Sequence, residues 1–106
     1  MNEIEQYRKA SAEWMGRKLD AKGAIIYEST VSVRIYWHPD IDANQMLMVL
    51  EWLRKQCYNI HIIINLDIIE IRLYDDENDP EHCYLNNGKD LFKVTMKAFM
   101  EYIKSE

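Results

Sequence analysis

The stretch Ile60-His61-Ile62-Ile63-Ile64 limits the possible folds more than any other in this chain, because it is β-prone and apolar on both faces. A strand with apolar side chains on both sides needs cover on both sides, so its sheet is expected to lie between helices. A second strand, Ile69 to Tyr74, alternates with Glu70 and Arg72 outward, and the chain reverses between the two near Asn65-Leu66-Asp67.

Helical periodicity brackets these strands. Ile4, Tyr7, Ser11, Trp14, Met15 and Leu19 recur at three- and four-residue spacings over residues 2–20, with Gly23 as the expected stop. Residues 24–37 turn to Ile, Val, Thr and Tyr at a period of two, a strand or a hairpin reversing at Glu28-Ser29-Thr30. His38-Pro39-Asp40 interrupts it, and Asp40 or Asp42 is placed to cap a helix carrying Met46, Val49, Leu50, Leu53 and Cys57 on one stripe, with Asn59 as its stop. Glu81 to Leu85 reads as a short edge strand before a turn at Asn86-Asn87-Gly88. A last helix from Asp90 has Leu91, Phe92, Thr95, Ala98, Phe99, Tyr102 and Ile103 on one stripe. The expected architecture is α+β, an antiparallel sheet of about four strands with helices on both faces, a three-layer α-β-α sandwich. At 106 residues and 48% hydrophobic, residues 1–106 suit a single domain.

Charge is concentrated in one place. Five of the 18 acids, Asp75, Asp76, Glu77, Asp79 and Glu81, fall within seven residues that hold no base, and the remaining acids balance the 13 Lys and Arg. A neutral body with one anionic loop argues against broad mimicry of nucleic acid and marks those five residues as a candidate interaction surface. Basic residues are dispersed, and the only possible nucleic-acid footprint is Lys89, Lys93, Lys97 and Lys104, read first as a solvated face, so direct nucleic-acid binding is not expected.

The motifs of common chemistries are missing or incomplete. His38, His61 and His82 stand on separate segments without paired ligand spacing, which leaves His82-Cys83 as the best of weak metal candidates. Asp75, Glu77 and Asp79 alternate like the start of a calcium loop, but Pro80 replaces the required glycine and Asn86 stands where the closing glutamate belongs. Three glycines in the whole chain build no phosphate cradle, and Cys57 on a helix stripe reads as a core thiol. No cofactor and no catalytic residue is assigned. Trp37 and His38, at a strand end, are the candidate contacts for a ligand or partner, against the alternative that Trp37 covers the end of the core. The N-terminus lacks a signal-peptide pattern and no apolar run approaches the ~20 residues of a membrane span, so a cytoplasmic protein with free thiols is expected.

His38-Pro39-Asp40 resembles the tripeptide of J-domain co-chaperones, where it joins two helices; here the preceding residues form a poor helix. Three longer stretches, taken together, resemble the phage ABA-sandwich family, small proteins encoded by phages and prophages. Ala12-Glu13-Trp14-Met15-Gly16 is similar to that family's Ala-Glu and Met-Gly near the end of the first helix. His38-Pro39-Asp40-Ile41 stands where such proteins have Ser-Thr-Asp-Ile, followed by a helix from Asn44 through Trp52 with Val49-Leu50-Glu51. Leu91 to Met100 is similar to the family's closing helix. The resemblance implies a sheet between helices and the cytoplasm of a bacterial host; it implies no chemistry for any residue.

The resulting expectation is a non-enzymatic accessory protein that binds a host or phage protein, a defence protein among the candidates. Its alternative is a small-ligand, nucleotide or metal-sequestering protein using Trp37 and His38. Carboxylate-based metal catalysis, with Asp67 and Glu70 as strand neighbours, is a third reading. A homo-oligomer is open as well, because an exposed edge of the hairpin sheet can pair with a second copy.

Overall fold

The computed structural model describes residues 2–27, 33–57, 59–74 and 83–104. Helix α1 (Glu3–Trp14) starts on Asn2, whose Oδ1 accepts the Glu5 N–H at 2.8 Å, and carries Glu3 and Glu5 in its first turn, where acids favour the helix dipole. It ends before the expected stop. Gly16, at φ 75°, allows Arg17 N–H to reach the Ala12 carbonyl at 2.8 Å and Gly16 N–H the Glu13 carbonyl at 3.0 Å, the paired bonds of a Schellman cap. Gly23, at φ 82°, instead shapes the entry to the next strand.

Strands β1 (Ala24–Tyr27) and β2 (Val33–Tyr36) pair antiparallel as a two-stranded sheet, so the hairpin alternative describes this region, and the residues of its expected turn lie outside those described. Helix α2 (Ala43–Gln56) begins on Asp42, which accepts the Gln45 N–H at 3.0 Å, and all five residues of its expected stripe are buried. It stops at Cys57 in extended backbone, and Asn59 opens the next strand instead of ending the helix. Strands β3 (Asn59–Ile64), β4 (Ile69–Tyr74) and β5 (Cys83–Gly88) form an antiparallel sheet in that order, with β5 running through the expected turn at 86–88. Helix α3 (Leu91–Lys104) follows; the Asp90 carboxylate accepts the Phe92 N–H at 2.9 Å.

The core gathers Ile71 and Leu73 from β4 with Val49 and Leu53 from α2, Val94, Ala98 and Phe99 from α3, and Tyr7 and Ala12 from α1. Helix α3 is central, touching both other helices as well as β4 and β5. That position buries Val94 and Met96, outside its expected stripe.

The fold is α+β, but the anticipated single sheet of about four strands is two separate sheets among the described residues. The larger one buries one face. On its other face Asn59, His61, Ile63, Glu70, Arg72 and Tyr74 are exposed or half-buried, and Arg72 is ion-paired to Glu70 at 3.0 Å. A helix laid there would have to desolvate that ion pair.

Candidate interaction surface

The turn that carries His38-Pro39-Asp40 is held from three directions. The His38 carbonyl accepts N–H bonds from Ile41 and Asp42 at 3.1 and 3.0 Å, closing the turn against the first residues of α2. Gln45, buried on α2, then bridges strand and turn: its Oε1 accepts the His38 N–H at 2.6 Å and its Nε2 donates to the Tyr36 carbonyl at 2.7 Å. Pro39 is fully buried. The tripeptide thus joins a strand to a helix and has no preceding helix of the J-domain kind.

Trp37 is only 3% exposed, and its indole N–H donates to Ser11 Oγ at 2.9 Å while the Arg17 guanidinium lies 6.0 Å from the ring centroid. As a contact for an external ligand or partner Trp37 is therefore corrected to a core residue. The strand end at which it stands is where α1 crosses, and a buried indole must spend its one donor on a neighbour. His38 is half-buried, and its Nδ1 is enclosed with no hydrogen-bond partner among the described residues.

Asp40 is drawn into the same structure. Arg8 Nε and Nη2 donate to its two carboxylate oxygens at 2.7 and 2.9 Å, a bidentate pair between α1 and the turn. Burial pushes the Asp40 carboxyl up, but the Arg8 hydrogen bonds, a backbone N–H and the charges of Arg8 and His38 outweigh it, leaving the group below its ordinary value. Tyr7, fully buried on the same helix, is shifted the opposite way: burial first, and the nearby Asp40 charge second, raise its phenol well above the usual range.

A groove opens one helix face away. Asn44, Leu47, Met48, Glu51, Trp52 and Lys55 recur at helical spacing along α2, beside its core stripe, and with Met15 and Arg17 they line a groove of about 670 Å³. Its apolar lining is only partly covered: Leu47 is 57% exposed, and Trp14, beside it at the end of α1, 44%. Trp52 anchors it to the core, in contact with Trp14, Phe99 and Tyr102 at ring centroids 6.2, 5.5 and 5.9 Å apart. The rim mixes signs, with Glu51 paired to Arg54 at 2.6 Å beside Arg17 and Lys55. The sequence held the signal for this surface, a second apolar stripe of Leu47, Met48 and Trp52 next to the first, which single-stripe reading passes over.

The anionic stretch containing Asp75, Asp76, Glu77, Asp79 and Glu81, together with His82, lies outside the described residues. Among the described residues no three metal-ligating side chains come together, and no helix is long and apolar enough to cross a membrane. Comparison of the chain with models of known protein families, with curated proteins and with solved structures finds no match.

Proposed function

We propose that the chain is a non-enzymatic protein-binding module whose contact surface is the α1–α2 groove. One observation carries this reading: a groove whose apolar lining is exposed Leu47 with half-buried Met48 and Trp52 rooted in the core, flanked by exposed Trp14 in ring contact with Trp52 and edged by charges of both signs. Tryptophan, methionine and arginine around an apolar centre is the composition of a protein interface, and a rim of mixed sign suits a folded partner better than a polyanion. The resemblance to small phage proteins supports a host or phage protein as that partner, in the bacterial cytoplasm. The anionic residues 75–81 are a second point of attachment, suited to a basic partner surface and acting mainly on association rate and specificity.

Purification of the tagged chain from phage-infected or prophage-bearing cells tests the reading. A stoichiometric partner should be retained by wild type and lost by Leu47→Glu, whose position is exposed enough to leave the fold intact. Retention of the same partner by a folded Leu47→Glu chain removes the groove from the interface. Joint conversion of Asp75, Asp76, Glu77, Asp79 and Glu81 to amides should weaken binding and flatten its dependence on salt; unchanged affinity removes the loop.

A further inference from the structure

Strand β3 is an outer strand, and among the described residues no strand pairs with its free side. The hairpin decides which backbone groups point outward. Asn65 N–H donates to the Ile68 carbonyl at 2.9 Å, so the peptide groups of Asn65 face β4, and along an antiparallel ladder this direction alternates residue by residue. Asn59, His61 and Ile63 therefore bond to β4, while the N–H and C=O groups of Ile60, Ile62 and Ile64 face the open edge. In keeping with this, the Ile60 N–H is taken up by the side-chain oxygen of Asn59 at 2.9 Å.

The same three isoleucines stand opposite Leu73, Ile71 and Ile69, on the face that holds the core. Their cover fades along the strand. Ile60 packs against the core, whereas Ile62 is 42% and Ile64 67% exposed.

We propose that this edge is a dimerisation surface whose occupant is β3 of a second copy of the chain, antiparallel about a two-fold axis at Ile62. In that register Ile62 meets the partner's Ile62, and Ile64 meets the partner's Ile60. Each outward donor then faces an outward acceptor, and both core faces lie on one side of a continuous sheet. The bare end of each strand is laid beside the covered end of the other, so the pairing is self-complementary in apolar surface as well as in hydrogen bonds. Centring on His61 instead would carry Ile64 past the end of the opposing strand. Residues 59–64 contain no charge and no proline, the devices that otherwise keep an edge from pairing.

Light scattering of the full chain from micromolar to submillimolar concentration, with amide exchange across the same range, tests the proposal. Wild type should approach twice the mass of one chain, and the amides of Ile62 and Ile64 should slow with concentration while those of His61 and Ile63 are protected throughout. Ile64→Lys, which places a charge against the partner's Ile60, should be monomeric with unchanged circular dichroism. Ile62→Pro removes one outward N–H and spares the β3–β4 ladder, and should be monomeric too; if it does not fold, Ile64→Lys decides alone. A wild-type chain that stays monomeric throughout overturns the proposal and leaves the edge to a foreign strand. A dimer that survives Ile64→Lys with unchanged exchange at Ile62 overturns it as well. Neither substitution touches the α1–α2 groove, so partner capture reports on that surface separately.

Discussion

Strands β3 and β4 are hydrogen-bonded neighbours of equal length, yet the one richer in isoleucine is the more exposed. Ile71 and Leu73 of β4 are fully buried, while Ile62 and Ile64, on the same face one strand over, are not. The difference lies in place within the sheet. A central strand is covered by α3 whatever its outward residues are, so alternation with Glu70 and Arg72 suffices; an edge strand lies at the margin of the helical layer and keeps apolar side chains beyond its reach. Isoleucine content thus reports on what a strand can bury, and topology on what it does bury.

The widest separation between the two strands should appear at one cross-strand pair, Ile62 and Ile71. In an Ile64→Lys background, which keeps the chain monomeric under the dimer proposal, Ile71→Ala should cost about 2–5 kcal/mol, the range for emptying a closed core site. Ile62→Ala should cost roughly 1 kcal/mol, since much of its side chain already meets water. Urea unfolding measures both, and equal losses would erase the contrast between centre and edge. A small polar residue in the interior should outweigh the large apolar one at the edge: Ser11→Ala strands the buried Trp37 indole N–H and should cost about 1–3 kcal/mol. A loss below that of Ile62→Ala would mean that another acceptor replaces Ser11.

The Arg8–Asp40 pair should rank next. Its carboxylate is nearly enclosed but the arginine side chain is 37% exposed, so solvent screening holds the expected loss on Asp40→Asn to about 1 kcal/mol. The sign with pH follows from the depressed folded value. The contribution is complete above the ordinary aspartate value of 3.8 and disappears as pH falls below it through the folded value, so wild type and Asp40→Asn should converge in acid. Stability curves that stay parallel down to that range would deny the pair its role.

Much of this arrangement can be read in the sequence, and the parts that cannot have physical reasons. The α2 stripe, the reversal at Asn65-Leu66-Asp67 and the outward Glu70 and Arg72 follow from period and turn chemistry, which are local. The cover of β3 depends on which strand lies beside it, and periodicity carries no such information. Helix α1 ends at Trp14 because two backbone bonds close around Gly16, a choice between two glycines that apolar spacing past Trp14 obscures. Trp37 at a strand end reads equally as a ligand contact and as a core lid; only the crossing of α1, with Ser11 in reach of the indole, separates the two. The Leu47, Met48 and Trp52 stripe was visible as spacing, but its exposure depends on where α1 stops.

The smallest effect tests the comparison most sharply, because it asks whether an isoleucine contributes anything where topology leaves it bare. Ile64 stands opposite Ile69 at the turn end of the hairpin, two-thirds exposed, with its peptide groups facing away from β4. Ile64→Thr keeps the β-branched shape that suits an extended backbone and removes mostly wetted apolar surface, so the monomer's stability should change by no more than about 0.5 kcal/mol. Measured at a concentration where the chain is dimeric, the same substitution should be distinctly more costly, because the residue is then laid against the partner's Ile60. A loss that is large at every concentration would instead show that β3 is held by the core along its whole length, and the difference between the two strands would vanish.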